Sequence, residues 1–137
     1  MQSTIPRLLE ESVRNALQAS SALYGIEIRL QNENAEDISP CIIVKCHYTG
    51  VAYEIRHSGA YGSECELEIT TQVEASPGTA ETAEVIARAV NDAYNSAAST
   101  HFSAFSVIFS DPIGDERQTH ETSREITSRH RLRCALA

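Results

Sequence analysis

The sequence predicts an α+β fold: one mixed, largely antiparallel β-sheet packed by two helices, in the order α-β-β-β-β-α-β-β. Three observations carry this expectation. Two well-separated segments, 3–20 and 76–97, place apolar residues at helical spacing. Residues 64–75 alternate between apolar and charged or polar side chains with the period of a strand. Residues 41–44 are apolar at consecutive positions, as in a central strand covered on both faces. At 137 residues the chain is expected to form a single domain over 1–137, long enough to bury a core without disulfide or metal staples.

Taken in order, "STIPRLLEESVRNALQAS" reads as the first helix. Ser3 or Thr4 can cap it, Pro6 fits its first turn, and Ile5, Leu8, Leu9, Val13, Ala16 and Leu17 share a face. Gly25 ends that segment, and "IEIRL" alternates Ile26, Ile28 and Leu30 as a strand. After the polar loop "QNENAEDISP", the segment "CIIVKCHY" is a strand and "TGVAYEIRH" the next, with Gly50 marking a turn or bulge between them. "SGAYGS", carrying Gly59, Tyr61 and Gly62, is expected to be a flexible hairpin loop. In "ECELEITTQVEA", Cys65, Leu67, Ile69, Thr71 and Val73 point one way while Glu64, Glu66, Glu68, Thr70, Gln72 and Glu74 point the other. The second helix starts at Ser76 or Thr79, ends at Asn95 or Ser96, and turns Ala80, Ala83, Ile86, Ala87, Val90 and Ala93 inward, with Tyr94 a further candidate for that face. "FSAFSVIF" is a strand, "SDPIGDERQTHETSR" a long polar connection, and "EITSRHRLRCALA" the closing strand.

Composition narrows the function classes. The net charge is -8, with 19 Asp and Glu against 11 Lys and Arg, so the global field repels a phosphate backbone. Lys45 is the only lysine; arginine suits fixed, planar carboxylate pairing. The start "MQSTIPRLLEE" has no apolar run expected of a signal peptide, and no 18-residue apolar stretch occurs, so a soluble protein of the cytoplasm is expected. Cys41, Cys46, Cys65 and Cys134 are accordingly expected to be reduced thiols.

Two charge stripes stand out. On the closing strand Arg129, Arg131 and Arg133 share one face, and on the alternating strand Glu64, Glu66 and Glu68 do. Each crowds like charge, which is unfavourable between neighbours. They are either two solvated outer faces or a charge-matched contact, within one sheet or between subunits. A nucleic-acid grip would need stacking aromatics that are missing here, and a membrane contact would suit a basic amphipathic helix better than a strand. Tyr61, between Gly59 and Gly62, is a further contact candidate.

Catalytic and metal chemistry find little support. Cys41, Cys46, His47 and Cys65 lack CxxC or HxxxH spacing, and Cys41 and Cys46 fall on opposite faces of a regular strand. The segment "DPIGDERQTHE" gathers Asp111, Asp115, Glu116, Arg117, His120 and Glu121 without the ligand spacing of a calcium loop. No nucleophile elbow, phosphate-binding loop or dinucleotide-binding glycine pattern is present. No cofactor is expected.

The order of elements resembles that of the tail-terminator (tail-completion) proteins of long-tailed bacteriophages. The resemblance rests on the proline-led strand "SPCIIVKC", the strand "CELEITTQVEA" leading directly into "TAETAEVIARAVNDAYN", and "DPIGDER" before "REITSRHRLRCAL". It implies a non-enzymatic ring subunit, typically of a hexamer, that caps the tail tube and offers a docking surface to the head–tail connector or stopper. Its partners would be itself, the tail tube protein and that connector, with residence in the virion's tail or neck after assembly in the host cytoplasm. A head-completion or neck adaptor protein and a small monomeric α+β protein-binding module are the alternatives. An enzyme acting through Asp115 or Glu116 is the third.

Overall fold

The computed structural model describes residues 5–30, 40–54, 61–100 and 105–136. Helix α1 (Ile5–Gln18) buries Leu9, Val13 and Leu17 along one side. Among the described side chains of this helix the fourth buried one is Glu10, whereas Leu8, expected on the inner face, is 37% exposed. A short 3-10 turn (Ser21–Leu23) follows, and Gly25, at φ 82°, turns the chain into β1 (Glu27–Leu30).

Strand β2 (Cys41–Glu54) runs parallel to β1, with Ile28 opposite Ile42 and Leu30 opposite Val44. It then pairs antiparallel with β3 (Tyr61–Glu74). Sequence reasoning divides β2 into two strands; it is one. Tyr48 lies opposite Cys65 and Ala52 opposite Ser63, so β2 takes up two surplus residues around Gly50 as a bulge while β3 continues beside it. Cys41, Ile42 and Val44 are buried, and Ile43 is half-buried, close to the expectation of cover on both faces. Tyr61 and Gly62 are not loop residues either: they open β3, opposite Glu54 and Tyr53. Gly59 lies outside the described residues.

The sequence Ser76-Pro77-Gly78-Thr79 forms the turn into α2 (Thr79–Thr100), with Gly78 at φ 85° in the position that a type II turn reserves for glycine. The Thr79 amide donates to the Ser76 carbonyl at 3.2 Å, and the Thr79 hydroxyl donates to the same oxygen at 2.6 Å. The helix outruns its expected end because Ala97 and Ala98 continue it as well as any residue can. Ala83, Ile86, Ala87, Val90 and Tyr94 are buried as expected from their spacing, but Ala80, in the first turn, is exposed.

Strands β4 (Phe105–Thr119) and β5 (Ser123–Leu136) form a hairpin closed by the His120 amide donating to the Ser123 carbonyl at 2.7 Å. Most of the segment expected to be a polar connection is therefore strand. β4 ends the sheet order β1-β2-β3-β5-β4, and a terminal strand tolerates both charge and Pro112. Its register slips between Val107 and Phe109 and between Pro112 and Gly114.

Both helices cover the same face of this sheet. Leu9, Val13 and Leu17 of α1 join Ile86, Val90 and Tyr94 of α2 over Val44, Leu67, Ile69, Ile126 and Leu132 in one apolar cluster. The alternation of β3 is realised residue by residue: Cys65, Leu67, Ile69, Thr71 and Val73 are at most 3% exposed. At about 25 cal/mol per Å² of apolar area removed from water, this layer is the main source of stability.

Candidate functional site

The opposite face of the sheet carries the charge. β3 lies between β2 and β5, so its outward glutamates have neighbours on both sides. Glu64 is opposite Arg133, Glu66 opposite Arg131 and Glu68 opposite Arg129; on the other flank, His47 is opposite Glu66 and Lys45 opposite Glu68. The two stripes thus face each other within one chain. The Arg129 guanidinium donates from Nε to Glu68 at 3.0 Å and from Nη2 to Glu116 of β4 at 2.9 Å. Arg131 reaches diagonally to Glu64 at 3.9 Å, and His47 lies 3.8 Å from Glu66. Arg133 is placed by its backbone register alone, its side chain lying outside the described ones.

Read across the strands, this face runs basic on β2, acidic on β3, basic on β5 and acidic on β4. The hydrogen bond that Arg129 donates to Glu68, then the field of Glu116, raises the Arg129 pKa above its ordinary value. Solvent reaches the outer ends of these pairs, with Arg131 53% and Glu116 43% exposed, while Glu64 and Glu68 beneath them are 14% and 20% exposed. Ion pairs open to water at one end contribute modestly to folding. Below them, Thr70 and Thr127 join hydroxyl to hydroxyl at 2.9 Å.

The described side chains of the carboxylate-rich segment do not converge on one point. Strand alternation sends Glu116 to the charged face and Arg117 to the helix face, where Arg117 Nη2 donates to Glu84 of α2 at 2.9 Å and lowers the Glu84 pKa. His120 instead lies 3.4 Å from Glu125. Among the described residues no group of three or more His, Cys, Asp or Glu side chains could hold a metal ion. Cys41, Cys46 and Cys65 are buried and form no disulfide, and burial pushes the Cys41 thiol pKa up. No helix among the described residues is long and apolar enough to cross a membrane.

Two residues outside the expected contact set matter to the architecture. Glu10 Oε2 accepts the Cys46 amide at 2.8 Å, two residues beyond the last β1–β2 pair. His130 is buried on the helix face of β5, its ring 4.3 Å from that of Tyr94. Burial lowers its pKa against the opposing pull of Asp115, and among the described residues neither ring nitrogen has a hydrogen-bond partner. Its apolar-face position was legible from the alternation of β5; its contact with α2 was not.

No protein-family model matches the chain, and no curated protein sequence matches it. A solved structure, the "Virion of native gene transfer agent (GTA) particle", contains a similar chain. The two share 17% identity with a TM-score of 0.71, over 94% of this chain and 95% of that one. Likeness at this identity shows a common fold.

Proposed function

We propose that this protein is a non-enzymatic structural component of a phage-like virion, and specifically a tail-terminator ring subunit. One observation carries the reading: the fold shared over nearly the whole of both chains with a component of the gene transfer agent particle. The element order, with β3 feeding α2 through a four-residue turn, is in keeping with it.

In this reading copies of the chain close head-to-tail into a ring, typically of six, that caps the tail tube and presents a surface to the connector. A head-to-tail contact joins two different patches of the subunit. The β2–β3 end, where Tyr61 and Gly62 open β3, with neighbouring Gly59, is the candidate for one of them. A tyrosine there supplies contact area at little entropic loss.

The test is direct. The purified protein, alone and mixed with isolated tail tubes, is imaged by negative-stain electron microscopy and weighed by analytical ultracentrifugation. Rings of six subunits that cap one end of the tubes support the reading. Binding only to isolated heads would replace it with a head-completion role, and a monomer that binds neither would refute a virion role.

A further inference from the structure

We propose that the charged face of the sheet is a self-recognition surface, on which a second copy of this chain docks about a two-fold axis running along the strands. This goes beyond the ring reading and does not rest on it, because a two-fold contact joins a patch to itself.

The argument is the order of the charge columns. Four neighbouring strands present Lys45 on β2, Glu66 and Glu68 on β3, Arg129 and Arg131 on β5, and Glu116 on β4. A two-fold axis along the strands, passing between β3 and β5, reverses this order in the second copy. Each basic column then meets an acidic one: Glu68 faces the second copy's Arg129, and Arg131 faces its Glu66. A two-fold axis across the strands would set every column against itself, like on like. The pattern therefore selects one of the two face-to-face arrangements and opposes the other.

The geometry tolerates the natural twist of sheets. Outward residues two apart on a strand, such as Glu66 and Glu68, are about 6.8 Å apart. Sheets packed face to face are rotated by about 30°. Where the strands of the two copies cross midway between the two rows, that rotation moves each row sideways by about 1.7 Å. Half the spacing between strands is about 2.4 Å, so the columns stay in phase over both rows. The side chains are available: Arg131 is only weakly held, at 3.9 Å from Glu64, and is 53% exposed, and Lys45 is exposed. The surface is polar, so association is expected to be weak and salt-sensitive.

The experiment uses the full chain at about 100 µM, a concentration suited to a small polar interface. Mass is measured in about 25 mM and about 500 mM salt, which shortens the Debye length from about 19 to about 4 Å. A species of twice 15.0 kDa that reverts to the monomer at high salt is expected. If a ring persists through its other contact, the same doubling is read on the mass of the ring.

The deciding variants are Arg131→Glu and Glu66→Arg. Each alone sets like charges across the two-fold and should abolish doubling. Mixed in equal amounts they should restore it, because an acidic face then meets a basic one, although within each chain the like-charge neighbours remain. Only a contact between copies can be rescued by mixing. Doubling that survives in either variant alone, or a mixture that stays undoubled, overturns the proposal. Should either variant fail to fold by circular dichroism, Arg131→Gln is the substitute. It removes two symmetry-related pairs and should weaken doubling at least about tenfold; unchanged association overturns the proposal equally.

Discussion

Replacing Glu10 with alanine tests how α1 is fastened to the sheet. The Glu10 side chain is buried and its Oε2 accepts the Cys46 amide at 2.8 Å, joining residues 36 apart in sequence. A hydrogen bond to a charged acceptor contributes about 1.5–3 kcal/mol. Its removal leaves the amide of Cys46, itself a buried residue, without this acceptor. Alanine returns a few tenths of a kcal/mol through its helix propensity. The expected net loss is about 2 kcal/mol, or a fall in Tm of roughly 8 °C for a chain of this size. Glu10→Gln keeps an acceptor oxygen of the same reach without the charge and should lose about half as much. Thermal and urea unfolding give the two values, and hydrogen exchange at Cys46 supplies a local check: its amide should lose protection in the alanine variant and keep part of it in the glutamine one. If both variants lose the same amount, or Glu10→Ala loses under about 0.5 kcal/mol, then the bond does not fasten the helix and the reasoning fails.

Three further outcomes follow from other sites. The buried His130 has a lowered pKa in the folded state, so the unfolded chain binds its proton first, near pH 6.5. The stability this group confers is complete above that value and declines as the pH falls toward the folded-state pKa. His130→Phe should flatten that part of the stability–pH curve, and an unchanged slope between pH 7 and 5 would contradict it. Gly78 holds φ 85° with nothing within 4 Å of an added Cβ, so Gly78→Ala should lose about 1–2 kcal/mol from backbone conformation alone, read by urea unfolding. The thiols of Cys41, Cys46 and Cys65 are buried and form no disulfide, so a thiol reagent should modify them only on unfolding, as mass spectrometry of labelled peptides would show.

Much of the architecture was legible because β3 and the helices obey their periods. The strict alternation of residues 64–74 placed every buried side chain among the described ones of that strand, and spacing placed Ala83, Ile86, Ala87 and Val90 on the inner side of α2. Glu10 shows why the rest was harder. At about 100° per residue, Glu10 lies only about 20° around the helix from Leu17, whereas Leu8 lies about 80° from Ala16. The wheel alone thus places Glu10 nearer the buried arc, but a charged side chain there makes sense only once an unpaired amide awaits it. That amide comes from β2, and no local pattern announces it. β4 misled for a related reason: Pro112, Gly114 and the acids read as a loop until the strand is known to end the sheet. The charge stripes were legible as stripes, but that they meet within one chain depends on β5 lying beside β3, which only the strand order supplies.

The two faces of the sheet answer to different physics. On the helix face, burial of Leu67, Ile69 and their neighbours sets stability, and a change of one methylene is felt. On the charged face, solvent screens the pairs, so their presence is poorly explained by folding alone. Arg129 bridges Glu68 and Glu116 in a fixed fork, which costs side-chain entropy and yields little stability in water. What such a fork does yield is direction: charges held at known positions recognise a complementary pattern and reject a displaced one. Single-residue neutralisations on this face should therefore leave Tm nearly unchanged while altering association. A substitution such as Arg131→Gln that lowered Tm as much as a core truncation would show that the face serves folding instead.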